Sequence, residues 1–376
     1  MLKKISLLLL TSLLSSCATT RSVVKAEGEQ EPTYEFSFNE YNNVRIHTDL
    51  QYNYLNDEYQ NVNNYASGTS ELSRPLTFTL DWDFITNSGE TINDYYLNVT
   101  SDETLSSFET YKCSNSEYTF TNLIIGTTYY YFVTANTNVS SYSSDIHTFK
   151  TEDKGPRNVY VDGITNVRDL GGYVTASNKR VKQGMVYRTG QLNNGYSLTV
   201  SPKITLEGRK MLLDVFKIKS EIDLREIYNN ENGALYDSVL GKDVNYYPYH
   251  MGWDVVNIAK NETESMRNVF KVFTNRNNYP VIFHCAIGTD RTGVVAFYLN
   301  ALLGLNNVDI YRDYLFSNFG NIGGPRGLDH INSHFTYLST FEGNTLQEKA
   351  YSYFESIGFT KQELDNICNI MLEPNI

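Results

Sequence analysis

The run His284-Cys285-Ala286-Ile287-Gly288-Thr289-Asp290-Arg291-Thr292-Gly293 sets a thiol and a guanidinium at a fixed short spacing, with five residues between Cys285 and Arg291. An apolar, strand-like stretch, Tyr279-Pro-Val-Ile-Phe283, precedes it, and an apolar helical stretch from Arg291 to Leu303 follows. A five-residue loop between strand and helix can turn its N–H groups around one phosphate and add the positive end of the helix. Cys285 would then sit beneath phosphorus as a nucleophile. Ala286, Ile287, Gly288 and Thr289 would supply the backbone cradle, and Arg291 would grip two phosphate oxygens with its planar fork. The same positive field favours the thiolate. A bare Cys-x5-Arg could also be a buried strand-end cysteine with an arginine nearby by chance. The strand–loop–helix setting argues for the chemistry.

Neutralisation by Arg291, loop N–H groups and a helix end leaves no task for a metal, and neither half of the chain has His and Asp at metal-ligand spacing. No cofactor and no metal are expected.

The 376 residues suffice for two or three domains. The chain opens with a basic and then short apolar segment, Met1-Leu-Lys-Lys-Ile-Ser-Leu-Leu-Leu-Leu10, too short to span a bilayer and read as an export signal over residues 1–16. Leu14-Ser-Ser-Cys17 resembles the bacterial lipobox, which makes Cys17 the lipidated N-terminus of an exported, membrane-anchored surface lipoprotein. An ordinary secretory signal with an incidental cysteine is the alternative. With Cys17 and Cys285 assigned, Cys113 and Cys368 remain, in different domains, so a disulfide framework is not expected. Residues 18–154 hold 7 Lys+Arg against 20 Asp+Glu; residues 155–376 hold 22 against 23. The break falls at Glu152-Asp-Lys-Gly-Pro156, a polar linker. Such an acidic exterior excludes nucleic acid as a partner.

After a tether over residues 17–33, residues 34–152 read as short strands with turn signals: Leu76–Trp82 alternates with period two, and 95–99, 129–134 and 147–151 follow. This predicts an all-β sandwich. Leu123-Ile-Ile-Gly-Thr-Thr-Tyr129 resembles the fibronectin type III signature, which implies a tyrosine corner at Tyr129 and a core tryptophan at Trp82. Residues 34–69 fit it poorly and are expected to form an irregular first strand and a long loop. The module reads as a spacer, or as a binder of glycan or protein.

Thr165-Asn-Val-Arg-Asp-Leu-Gly-Gly-Tyr173, Met185-Val-Tyr-Arg-Thr-Gly-Gln-Leu192, Glu221-Ile-Asp-Leu-Arg225 and the Cys285 loop occur in that order. Together, residues 157–376 resemble the bacterial tyrosine-phosphatase family that includes secreted enzymes acting on phosphotyrosine and phosphoinositides. The resemblance implies an α/β cysteine-phosphatase domain, a central sheet with helices on both faces. Strand-like 222–224 and 281–283 and helical 205–216, 262–273 and 345–357 agree with it. It also implies Cys285 as nucleophile, Arg291 as clamp and Asp290 as general acid, with Asp254 in Gly-Trp-Asp as rival. Thr292 can donate its hydroxyl to the departing thiolate. His284 is expected to orient the loop, and Asp223 either to tune Asp290 or to pair with Arg225 at a sheet end. Arg168, Asp169 and Arg188 are expected to support the site. Family members active on lipids carry a lysine where this chain has Thr289, which favours phosphotyrosine or a broad range of small phosphomonoesters. A basic rim of Lys179, Arg180 and Lys182 beside the site would favour inositol phosphates instead. A third reading is a surface adhesin that only binds phosphorylated ligands.

Overall fold

The computed structural model describes residues 33–193, 204–226 and 237–374. The expected signal peptide, Cys17 and nearly all of the tether lie outside the described residues. No helix among the described residues is long and apolar enough to cross a membrane.

Strands β1 (Tyr34–Phe38), β2 (Phe78–Thr86), β3 (Ile92–Thr100), β4 (Glu109–Cys113), β5 (Glu117–Phe120), β6 (Thr128–Thr137), β7 (Ser141–Ser143) and β8 (His147–Lys150) form two antiparallel sheets. One runs β1-β2-β5; the other runs β4-β3-β6-β7, with β8 also on β6. Period-two alternation drives this, since Phe78, Leu80 and Trp82 turn inward on β2 and Tyr131, Val133 and Ala135 on β6. Those side chains close one apolar core with Leu97, Val99, Phe120 and Phe149. Tyr129 Oη accepts the Ile124 N–H at 3.0 Å.

Residues 34–69 depart from the expected strand and loop. After β1 the chain stays on the sandwich through Val44 and Ile46, which join its core, and then forms helix α1 (Asp49–Asn56), opened by a capping box between Thr48 and Gln51. A 3₁₀ turn over Tyr59–Asn64 follows. Tyr54, Leu55, Val62 and Ala66 are buried in the core of the C-terminal half. Tyr54 lies against Phe316 and Phe319, with ring centroids 5.9 and 5.7 Å away.

The C-terminal sheet has six strands: β9 (Arg157–Asn158), β10 (Arg168–Asp169), β11 (Val186–Thr189), β12 (Ser220–Asp223), β13 (Asn245–Pro248) and β14 (Val281–His284). Their order is β13-β12-β14-β11-β10-β9. The β13, β12, β14 and β11 neighbours pair parallel, and β10 and β9 are antiparallel. Along β14, Val281 and Phe283 face one core and Ile282 the other, so both faces of the sheet are covered. Helix α2 (Leu206–Lys210), continuing into a π turn over Met211–Val215, covers the smaller face. The larger face carries α3 (Ile258–Asn261), α4 (Thr263–Phe273), α5 (Asp290–Leu303), α6 (Asn307–Leu315), α7 (Asp329–Leu338), α8 (Leu346–Ser356) and α9 (Lys361–Met371). From Arg291 to Leu303 every residue of α5 is buried. A helix apolar all round belongs in the middle of a layer, which is where α5 lies.

The seam between the halves is polar and specific. Arg157 Nε donates to Leu123 O at 3.1 Å, while its Nη1 reaches Asp169 Oδ2 at 2.8 Å. Asn122 Nδ2 donates to Tyr160 O at 2.9 Å, and the Tyr160 N–H returns to Asn122 Oδ1 at 2.6 Å.

Candidate active site

Strand β14 ends at His284 and α5 begins at Asp290, so residues 285–289 form the connecting loop at the carboxyl end of a central parallel strand. The loop is held from behind through its carbonyls. His284 Nδ1 donates to Cys285 O at 3.1 Å, and Gln191 N–H to Ala286 O at 3.0 Å. Asn166 Nδ2 lies 3.1 Å from both Ile287 O and Gly288 O. Arg188 Nη2 donates to Gly288 O at 2.9 Å and to Thr289 O at 3.3 Å. These bonds fix the loop by its carbonyls, and a short loop of consecutive N–H groups held this way at a helix start is a backbone arrangement that can bind an anion. Gly288 has φ +72°, and a Cβ there would strike Thr189 O and lie 2.6 Å from Gly190 N, so only glycine fits.

Cys285 is buried in this loop, and among the described residues neither it nor Cys113 nor Cys368 forms a disulfide. Arg291, in the first turn of α5, points its Nη1 at Met251 O (3.3 Å) and Leu224 O (3.4 Å), and its guanidinium lies 4.5 Å from the Trp253 ring centroid. Thr292 Oγ1 is buried and has no hydrogen-bond partner among the described residues, which leaves its proton available to a neighbouring acceptor.

Asp290 does not meet Arg291, Arg188 or Asp223. Its carboxylate is gripped by Arg326, Nε to Oδ1 at 2.9 Å and Nη2 to Oδ2 at 3.1 Å. His330 Nδ1 lies 3.7 Å from Oδ1, and Tyr314 Oη 3.5 Å. Burial pushes the Asp290 carboxyl up, but the hydrogen bonds and charges of His330 and Arg326 outweigh it and leave the group at about 2. His330 is raised in return, chiefly by its bond to Asp290. The rival, Asp254, is exposed and bonds locally to Asn257 Nδ2 at 3.1 Å through both oxygens.

Asp223 is clasped by Arg225, whose Nη2 reaches Oδ2 at 2.6 Å, and it also accepts from Tyr246 Oη at 2.9 Å. It pairs with Arg225 at the sheet end and lies 3.8 Å from His284, and it does not reach Asp290. His284 Nε2 faces Glu221 Oε1 at 2.9 Å. Glu221, Asp223 and His284 offer possible metal-ligand atoms within 4.8 Å of one another. Each is already engaged by protein hydrogen bonds, so the cluster serves as a tether under the loop. Arg168 and Arg188 converge on Asp313, Arg188 Nη1 meeting Oδ2 at 2.6 Å and Arg168 Nε meeting Oδ1 at 3.4 Å. Arg168 also bonds Asn166, thereby aiming it at the loop. Asp169 pairs with Arg157 at 2.8 Å and accepts the Gly171 and Gly184 N–H groups, a role at the domain seam.

The segment of Lys179, Arg180 and Lys182 is not beside the loop. Ala176 N–H bonds Gly304 O, at the far end of α5; Arg180 pairs with Asp153 at 2.6 Å, and Lys182 Nζ caps Ile370 O at 2.9 Å. The basic rim that would favour an inositol phosphate is therefore absent from that position. Sequence reasoning also passed over Asn166, Asp313, Arg326 and His330. Asn166 had a readable signal in its place beside Arg168 and Asp169; Arg326 and His330 had none, because a long excursion after α6 brings them back.

A family model described as "Tyrosine phosphatase family" matches residues 159–373. The chain belongs to that family. A Cupriavidus necator protein named provisionally as a tyrosine-protein phosphatase is 29% identical over 180 residues, covering 45% of this chain and 66% of its own length. A tyrosine-protein phosphatase of Nostoc commune is 28% identical over 95 residues, 25% of this chain and 32% of its own. The chain thus spans less than two thirds of either relative. Among solved structures, the core catalytic domain of the PP-IP phosphatase SIW14 from S. cerevisiae, in complex with citrate, superposes with TM-score 0.29 at 20% identity, covering 44% of this chain and 84% of that one. A second structure of the Siw14 catalytic core gives 0.28 at 16%, covering 48% and 90%. The family assignment rests on the sequence match.

Proposed function

We propose that this member of the tyrosine phosphatase family hydrolyses phosphomonoesters through a cysteinyl-phosphate intermediate, with phosphotyrosine as the leading substrate. The observation that carries the reading is the loop from Cys285 to Arg291, its carbonyls held by Asn166, Arg188 and His284, its thiol buried and its arginine in the first turn of the following helix. Cys285 Sγ attacks phosphorus as the ester P–O bond breaks, and Asp290 delivers its proton to the leaving oxygen. Water then attacks phosphorus, giving a proton to the Asp290 carboxylate, as the P–S bond breaks and the Cys285 thiolate leaves. Burial and the charge of a phosphate dianion both oppose the Asp290 carboxylate, whereas His330 and Arg326 favour it. Thr289 is buried and its Oγ1 accepts from Asn166 at 3.1 Å, so the loop presents no lysine to further phosphates on an inositol ring. This supports the aryl substrate over the inositol one, and a working nucleophile over a mere phospholigand adhesin.

The remaining proposals concern delivery. The sandwich is read as fibronectin type III-like, supported by the β1-β2-β5 and β4-β3-β6-β7 order and by the Tyr129 hydroxyl bonded to Ile124. Cys17 is read as the lipid anchor of an exported surface protein, supported by the Leu14–Cys17 sequence. The test is a panel on the intact chain of a phosphotyrosyl peptide, a phosphoseryl peptide and inositol phosphates. Preference for the phosphotyrosyl peptide is expected. Turnover of inositol phosphates alone would overturn the substrate reading.

A further inference from the structure

Arg326 bonds both oxygens of Asp290, yet its own segment, residues 320–328, contains no helix or strand and needs an outside support. That support comes from the N-terminal half. Gly68 N–H donates to Asn318 O at 2.7 Å, and Gly68 O accepts from Ile322 N–H at 2.9 Å and Gly324 N–H at 3.0 Å. Leu72 N–H adds a bond to Phe319 O at 2.6 Å. Asn318, fully buried, then takes Arg326 by its backbone, accepting the Arg326 N–H at 2.7 Å and donating to Arg326 O at 2.9 Å. A continuous series of bonds therefore runs from Gly68 through Asn318 and Arg326 to both oxygens of Asp290. Gly68 itself has φ +70°, and a Cβ there would collide with Gly324 O and sit 2.8 Å from Gly324 C. Glu71 reinforces the same contact, accepting from Thr165 Oγ1 and, at 3.5 Å, from Asn321 N–H.

We infer that residues 66–72, carried by the N-terminal half, are a positioning strap for the phosphatase site, fixing Arg326 on Asp290 through Asn318. The sandwich half is then part of the catalytic apparatus rather than only a spacer. The kinetic consequence rests on Asp290 being the acid proposed above, whereas the positioning does not.

Two measurements on the intact chain separate these statements. The titration of the Asp290 carboxyl, followed by carbon NMR in the Cys285→Ser background, reads the strap directly. Gly68→Ala should push the loop away and raise the Asp290 midpoint by about one unit, in the same direction as Arg326→Met. Glu71→Gln, a milder change that keeps the fold if Gly68→Ala does not, should move it the same way by less. A midpoint unchanged in folded Gly68→Ala and Glu71→Gln, while Arg326→Met moves it, overturns the strap. The second measurement is the pH profile of kcat on a phosphotyrosyl peptide with Cys285 intact. Its alkaline limb should move upward in Gly68→Ala, with the plateau reduced about tenfold as the acid loses its aim. If Asp290→Asn keeps a wild-type alkaline limb, the acid assignment fails, and the NMR midpoint still judges the strap.

Discussion

Two segments of this chain carry an aspartate near Arg291, and they are built in opposite ways. The phosphate loop is buried and bound at each carbonyl from Cys285 to Thr289, with Asp290 locked by Arg326. In the 250–257 segment Met251 and Val255 are buried, but Trp253 is 51% exposed over the Arg291 guanidinium, and the exposed Asp254 side chain bonds to its near neighbour Asn257. Preorganised groups act without reorganising during reaction, whereas a surface carboxylate must first be brought in. The difference argues that the chemistry lies in the first segment and that the second covers it.

The sharpest way to break that contrast is to remove the nucleophile. Cys285→Ser should lower turnover of para-nitrophenyl phosphate by at least about a thousandfold with unchanged circular dichroism, since a serine hydroxyl is not ionised near neutrality. Residual activity above a trace would place the chemistry elsewhere. Next comes the choice of acid. Asp290→Asn should slow phosphotyrosine hydrolysis by about a hundredfold and an activated aryl phosphate far less, because only the poor leaving group needs a proton. Asp254→Asn should change neither by more than about twofold. A steeper leaving-group dependence in the Asp254 variant would reverse the assignment.

A smaller effect is expected behind the loop. Asn166→Ala removes the donor shared by Ile287 O, Gly288 O and Thr289 Oγ1, and should cost about 1–3 kcal/mol in urea unfolding, with a modest fall in kcat. An unaltered midpoint would show that Arg188 suffices. The last effect concerns pH. The Asp290 carboxyl falls from 3.8 to about 2 on folding, so its contribution is fully present above about 4 and is lost as pH falls through about 2. It amounts to about 2 kcal/mol. The stability gap between the wild-type chain and Asp290→Asn should therefore narrow from pH 5 to pH 2; a constant gap would mean that the ion pair with Arg326 contributes nothing.

How much of this was legible follows from range. The phosphate loop, β2, β6 and α5 declare themselves through local pattern: a spacing, a period of two, an unbroken apolar run. Cys285 and Arg291 are neighbours in sequence and so were readable as a pair. The partners of Asp290 were not, because Arg326 lies 36 residues on and has no spacing that announces it. Helix α1 was missed for a different reason. Its Thr48–Gln51 capping box was in plain view, but Asp49-Leu-Gln-Tyr-Asn-Tyr-Leu-Asn56 has only a weak apolar face. Its burial is decided by Phe316 and Phe319, which no local reading supplies.

The excursion of α1 into the distant core also sets an order of events during synthesis. The sheets of the sandwich pair residues that all leave the ribosome early, and they can close as soon as β8 emerges. The stretch around α1 cannot: the bond from Arg312 Nη2 to Asp57 O spans 255 residues, and Tyr54 waits still longer for Phe319. Until most of the chain has been made, Tyr54 has the ring of Tyr65 in its own segment but lacks those of Phe316 and Phe319, so Tyr54, Leu55 and Val62 remain a sticky stretch on a half-made protein. Closing so long a loop is entropically slow. The final annealing of the molecule is thus the return of an early segment to a late one, and that is the step at which a holding chaperone would be of most use.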